Sequence, residues 1–251
     1  MKLIGKLATI VLVVVLSVSL AFSALSAFES VADELNGLGL FNGTGENADG
    51  TPIYSLDRAP TRAEALTMMV RFLGLEEEAM AAEYEHPFTD VKEWADPYVA
   101  LAFEYGFTKG ESETTFGSDD PCTARMFATF MLRALGYDKA ADGGDIYAVA
   151  IDFGKELGLI DSKLAAGVFL RDHMVVVAYL ALFVAPADSD FDILLEKLVD
   201  DGAIDADAAA AVLERAPLYE LVADPEPEPE PEPEEGDGDA EPEEGEEEPE
   251  E

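Results

Sequence analysis

The chain has 251 residues, with 15 Lys+Arg against 54 Asp+Glu, a formal net charge of -39 and 49% hydrophobic residues. That is apolar enough for a core of one or two domains, but far too acidic for nucleic acid or anionic lipid, both of which need a basic face. One cysteine, Cys122, excludes an intramolecular disulfide and an all-cysteine zinc site, and His86 and His173 leave little for a His-based metal centre, so no cofactor or metal is expected.

The amino end reads as an export signal over 1–27. Lys2 and Lys6 form a positive start, Leu7 to Phe22 is an apolar run, and Ser23-Ala24-Leu25-Ser26-Ala27 supplies small residues for cleavage after Ser26 or after Ala27. The run is shorter than the ~20 residues a membrane-spanning helix needs. The competing reading is an uncleaved amino-terminal anchor.

The middle of the chain repeats. Thr61-Arg62-Ala63-Glu64 opens an apolar-periodic helix that stops at Arg71-Phe72-Leu73-Gly74. Sixty-two positions later Thr123-Ala124-Arg125-Met126 opens another, stopping at Arg133-Ala134-Leu135-Gly136. Thr is the expected N-cap of each, Glu64 completes a capping box with Thr61, and Gly is the stop. Each copy has an earlier helix with a Gly-x-x-x-Gly exit: Val31 to Leu35 with Gly39 and Gly43, and Trp94 to Tyr105 with Gly106 and Gly110. A third, more worn copy runs from Ile146 to Leu157, exits at Gly158 to Ser162, and opens its second helix at Leu170-Arg171-Asp172-His173, continuing as the apolar stretch Met174 to Val184. That stretch is apolar nearly all round and is expected at the centre of the bundle. Asn47 to Pro52 reads as an inserted turn.

Two amphipathic helices are expected next, Phe191 to Val199 and Ala206 to Arg215, joined through Gly202 with Asp205 as N-cap. Whether this hairpin packs on the bundle or stands apart is left open by the pattern. From Asp224 the chain is Pro-Glu alternation followed by Gly, Asp and Glu, with no basic residue, which predicts a disordered, solvated acidic tail over 224–251.

At this point a family resemblance enters. Phe88-Thr89-Asp90-Val91, Trp94-Ala95, Tyr98-Val99, Gly106, Gly110, Phe116-Gly117 and the Thr-led helix ending Arg133-Ala134-Leu135-Gly136 resemble the S-layer homology repeat, and Thr61-Arg62-Ala63-Glu64 resembles its Thr-Arg-Ala-Glu signature. The resemblance covers about Phe28 to Ala185, as repeats over 28–86, 87–141 and 142–187, with the hairpin over 188–223. It implies an all-α, pseudo-threefold bundle of three helix–loop–helix units. It further implies an exported protein held on a Gram-positive-type cell wall by binding secondary cell-wall polysaccharide, in that family often a pyruvylated one, without catalysis and without a stable membrane span after signal cleavage.

An anionic sugar wants a planar, permanently charged fork, which Arg provides, and the first turn of a helix adds a positive dipole end and free N–H groups. By resemblance the glycan-binding residues are Thr61, Arg62 and Glu64 of the signature, Arg171, Arg125, and Trp94 as an apolar face for a sugar ring. The pattern departs from the family in places. Ala124 takes the Arg place of the second copy, with Arg125 turned by about 100° around the helix. Leu170 replaces the third capping Thr, and His173 replaces Glu. The bland readings are that Arg62 pairs with an internal acid and that Trp94 is core. No nucleophile elbow, phosphate loop or His-Glu-x-x-His is present, and enzyme is the wrong class. The rival reading is an envelope assembly protein whose worn repeats keep the fold but not glycan binding, contacting other envelope proteins through the hairpin or tail.

Overall fold

The computed structural model describes residues 28–140 and 145–214. The expected signal, the acidic tail and the end of the hairpin segment lie outside the described residues.

Helix α1 spans residues 28–37, and buries Val31, Ala32 and Leu35 on one face. The exit glycines Gly39, Gly43, Gly106 and Gly110 all have φ between 72° and 75°, as the Gly-x-x-x-Gly reading requires. The inserted turn is the tip of a small antiparallel hairpin, β1 (Gly45–Glu46) with β2 (Pro52–Ile53), in register Gly45↔Ile53. Helix α2 is Arg62–Phe72, and its capping box is present: Glu64 N donates to Thr61 Oγ1 (3.2 Å) and Thr61 N donates to Glu64 Oε2 (2.9 Å). A short helix not expected from the sequence, α3 (Glu76–Ala81), follows.

Helix α4 is Asp96–Glu104 with Pro97 in its first turn. Proline has no N–H to give and sits best there, so Trp94 stands in the preceding turn and not on the helix as expected. Helix α5 is Ala124–Ala134, capped by Thr123, and a 3-10 turn spans Tyr137–Ala140. Helix α6 (Ile146–Glu156) is capped by Asp145, and a further unexpected helix, α7 (Ser162–Ala166), is capped by Asp161.

Helix α8 is Arg171–Ala181, so it begins and ends about one turn earlier than the apolar stretch Met174 to Val184. His173 plays the part of Glu64 here, its Nδ1 accepting from Leu170 N at 3.1 Å, while Leu170 gives no side-chain cap. Helices α2, α5 and α8 contact one another pairwise. Met174, Val175, Ala178, Tyr179 and Ala181 of α8 are fully buried, as a central helix should be.

The hairpin is α9 (Leu194–Asp200) and α10 (Ala206–Glu214), and it packs on the bundle. Residues 182–184 leave the helix and turn their carbonyls to α9: Leu194 N donates to Val184 O (2.8 Å) and Leu195 N to Leu182 O (2.9 Å). Leu194, Leu195, Leu198, Ile204, Ala209 and Val212 join the common core. At ~25 cal/mol per Å² of apolar surface, six such side chains contribute on the order of 10 kcal/mol, which decides docking.

Candidate functional site

Two helix starts are stitched to loops distant along the chain. In α2, Arg62 N donates to Asp120 O (2.8 Å) and Ala63 N to Ser118 O (3.2 Å). In α8, Arg171 N donates to Arg58 O (3.0 Å) and Asp172 N to Leu56 O (3.0 Å). This corrects one expectation: the first-turn N–H groups are not free for a ligand, because the neighbouring loop takes them. What remains at each helix start is the arginine side chain.

Both arginines are buried, Arg62 to 6% exposure and Arg171 to 4%. The Arg62 guanidinium lies 5.0 Å from the ring centres of both Phe116 and Phe130. Arg171 lies 5.2 Å from the Phe41 ring, and its Nε donates to Tyr54 O at 2.9 Å. Neither forms an ion pair among the described residues. Burial pushes both below the ordinary arginine value, Arg171 to about 10. A guanidinium stays charged at neutral pH, so each is a buried cation that forms no ion pair among the described residues.

Each arginine floors a groove. The first, about 370 Å³, sets Arg62 beside Lys109, Gly110, Met126, Thr129, Phe130 and Arg133, with Tyr147 at 40% exposure on its margin. The second, about 330 Å³, sets Arg171 beside Phe41, Gly43, Glu64, Thr67, Met68 and Arg71, with Trp94 at 49% exposure on its margin. The walls correspond through the 62-residue offset: Thr67, Met68 and Arg71 in one groove are Thr129, Phe130 and Arg133 in the other. One architecture has been used twice. Six of the chain's 15 basic residues line these two grooves: Arg62, Lys109, Arg133, Arg58, Arg71 and Arg171.

The surrounding cations are pinned by acids. Arg58 forks onto Glu64 at 2.7 Å through both nitrogens, and Arg71 meets Glu76 (2.9 Å) and the Tyr98 hydroxyl (3.0 Å). Arg133 lies 3.3 Å from Asp138 and 3.6 Å from Asp145. Burial raises the Glu64 pKa, but the Arg58 fork and the Thr61 N–H outweigh it and hold the carboxyl below its usual range. Glu64 therefore positions Arg58 and caps α2. Thr61 is a cap and lines neither groove.

The third cleft, about 480 Å³, lacks the arginine floor. Ala124 stands at the corresponding helix start, among Ile151, Val168 and Phe169. Arg125 borders this cleft, but its Nη1 donates to the carbonyls of Tyr147 (2.9 Å) and Ala148 (2.7 Å), and its guanidinium lies over the Tyr147 ring. It ties α5 to α6. By the repeat register, the places of Thr67, Met68 and Arg71 are Val176, Val177 and Leu180 in the third unit, so a second cation is missing as well.

Sequence reasoning therefore named Arg62, Arg171, Glu64 and Trp94 as groove residues and missed Arg58, Arg71, Lys109 and Arg133. The repeated Arg71 and Arg133 were a usable signal, since both stand three residues before the stop glycine. Among the described residues no group of three or more His, Cys, Asp or Glu is placed to hold a metal, and no helix is long and apolar enough to cross a membrane.

The chain is similar to proteins of the bacterial surface. It is 33% identical over 117 residues to the middle cell wall protein of Brevibacillus brevis, a match over 46% of this chain and 11% of that protein. It is 33% identical over 120 residues to the surface layer protein of Brevibacillus choshinensis, covering 47% and 10%. It is 29% identical over 193 residues to the cell surface protein of Thermoanaerobacter kivui, covering 72% of this chain and 24% of that one. An 84-residue stretch is 34% identical to 8% of an endoglucanase of Bacillus sp.. The chain thus spans between a tenth and a quarter of the surface proteins it matches. No family model matches it.

Proposed function

We propose that this chain is a non-catalytic, cell-surface attachment module that holds an anionic cell-wall polysaccharide in its two arginine-floored grooves. In this reading the three helix–loop–helix units are S-layer-homology-like repeats in a pseudo-threefold bundle. Two inter-unit sites are kept and the third, with Ala124 at its helix start, has lost its cation.

The observation that carries the reading is the duplicated groove: a buried arginine with no ion pair among the described residues, between aromatic walls, beside an exposed Trp94 or Tyr147. A guanidinium fork matches a carboxylate in two parallel hydrogen bonds, and an exposed aromatic ring covers the apolar face of a sugar. In a chain of net charge -39 these grooves are where an anion finds concentrated positive charge. The relatives support the same assignment. A stretch matching a small part of wall and surface proteins, and of one enzyme, suits a device that attaches rather than reacts.

The test is retention of the full chain on purified wall polysaccharide, with its acidic substituents intact or chemically removed. Wild type should be retained only by the intact polymer, and an Arg62→Met/Arg171→Met double variant by neither. Equal retention of wild type and double variant would overturn the reading.

A further inference from the structure

The two grooves hold buried polar atoms that no described residue satisfies. Among the described residues, Arg62 Nε in the first has no hydrogen-bond partner, and in the second the same is true of Thr67 Oγ1 on a residue 4% exposed. The corresponding hydroxyl in the first groove, Thr129 Oγ1, is satisfied by Arg125 O at 2.7 Å. An orphaned polar atom costs about 1–3 kcal/mol when buried, so each groove is stabilised by an occupant that bonds it. The second groove is also the more cationic, with Arg58, Arg71 and Arg171 against the single lining carboxylate Glu64. The first sets Arg62, Lys109 and Arg133 against Glu111 and Asp145.

The chain carries its own candidate anion. Residues 224–251 contain 17 Asp and Glu and no Lys or Arg. Their point of departure is set by the hairpin. Ala203, in the turn before α10, lies against Gly74 so closely that a Cβ added there would come within 2.3 Å of its own. Gly74 is three residues past Arg71, which lines the second groove. The nine residues of α10 run ~13 Å from that turn. Residues 215–223 can then cover at most ~30 Å before the first of the tail acids. The second groove is therefore within reach, and a tethered ligand of this kind has an effective concentration in the millimolar range.

We propose that the acidic segment 224–251 docks in the second groove as an intramolecular competitor for the wall anion. This inference rests on the reading that the grooves receive anions. Tail carboxylates take the free edge of Arg171 and the Thr67 hydroxyl, and a wall polymer must displace them. Apparent affinity falls by the fraction of grooves left open. Raised ionic strength loosens the tail, because its many charges are screened over a Debye length of about 8 Å at physiological salt.

The experiment places a nitroxide label on the isotope-labelled full chain through Ala240→Cys, within the acidic segment; Cys122, only 2% exposed, does not compete for the reagent. At low salt, paramagnetic broadening should centre on Asn42, Gly43, Thr44 and Trp94. It should vanish at high salt and in Arg171→Met. Broadening spread evenly over the surface, no broadening, or broadening only between labelled and unlabelled copies would overturn the proposal. In parallel, a full chain with the 17 tail acids changed to Gln and Asn is tested on purified wall polysaccharide. It should be retained several-fold better at low salt and equally at high salt. Broadening at the groove with no retention of either chain sinks the attachment reading and leaves tail docking intact. Retention by both chains alike, without local broadening, sinks tail docking alone.

Discussion

Arg171→Met is expected to remove anion capture from the second groove while leaving the fold about as stable as before. Burial and, behind it, the neighbouring Arg58 lower the Arg171 pKa from 12.5 to about 10, with Glu64 partly offsetting them. At 1.36 kcal/mol for each pH unit, the folded protein disfavours this charged side chain by about 3 kcal/mol. Methionine removes that penalty and keeps an apolar stem. It gives up the hydrogen bond to Tyr54 O, about 1.5–3 kcal/mol with a charged donor, and the stack on Phe41, about 1 kcal/mol. The two sides cancel to within roughly 1 kcal/mol, or a Tm change within about 4 °C. The pH dependence carries the same sign. A cation whose pKa falls on folding destabilises the fold at every pH below about 10, and the penalty fades as pH climbs toward 12.5. Wild type should therefore gain on the variant across that window. Denaturant titrations at neutral pH and at successive steps above pH 10, with retention on wall polysaccharide as the binding readout, check both halves. A Tm loss of more than about 10 °C would mean that Arg171 is a structural post, and the reasoning would fail.

Three further substitutions and one reactivity follow from the same contacts. Gly74→Ala, at φ 69° and 2.3 Å from the Ala203 Cβ, should cost about 2–4 kcal/mol and release the hairpin to protease; full resistance would count against the docked arrangement. Asp90 accepts from the backbone N–H groups of Phe116, Gly117 and Ser118, which outweigh burial and keep its pKa below the usual carboxylate range. Its contribution should persist above about pH 4 and disappear as pH falls through that lowered value. Asp90→Ala should weaken anion binding in the first groove alone, by freeing the loop that holds Phe116 against Arg62, as isothermal titration with groove-specific variants would show. Arg125→Ala should lower the melting temperature, since Arg125 ties α5 to two carbonyls of α6, and should leave binding in the second groove unchanged while weakening the first, where it holds the Tyr147 ring. The Cys122 thiol, pushed up to about 12 by burial, should resist a disulfide reagent at pH 8 until the protein is unfolded.

The elements that were legible in the sequence are those in which local chemistry decides the outcome. Thr61 with Glu64, Thr123, Asp205 and the positive-φ glycines each act within a few residues of themselves, so the starts of α2, α5 and α10 and the helix exits follow from the sequence. The apolar stretch after Arg171 likewise announced a buried helix, although its end is set by α9, which takes the carbonyls of Leu182 and Val184. Short α3 and α7 were not legible: six and five residues carry too little periodicity to stand out. Trp94 lies in the turn before α4 and not on it, because Pro97 fixes the first turn of the helix at Asp96.

The groove divides in the same way. That an arginine opens α2 and α8 is a property of the sequence, legible in the first and third copies of the repeat. That each is buried, stacked on aromatic rings and without an ion pair among the described residues depends on which distant loop lies across it. Only the packing of α2, α5 and α8 fixes that, because the partners Phe116, Phe130, Phe41 and Tyr54 stand between 54 and 130 residues away along the chain. The same packing consumes the first-turn N–H groups that the sequence left available, and it turns Arg125 from a presumed ligand residue into a tie between helices. Local hydrogen-bonding and periodicity are written into neighbouring residues; burial and counter-ion choice are long-range quantities that exist only once the chain has closed on itself.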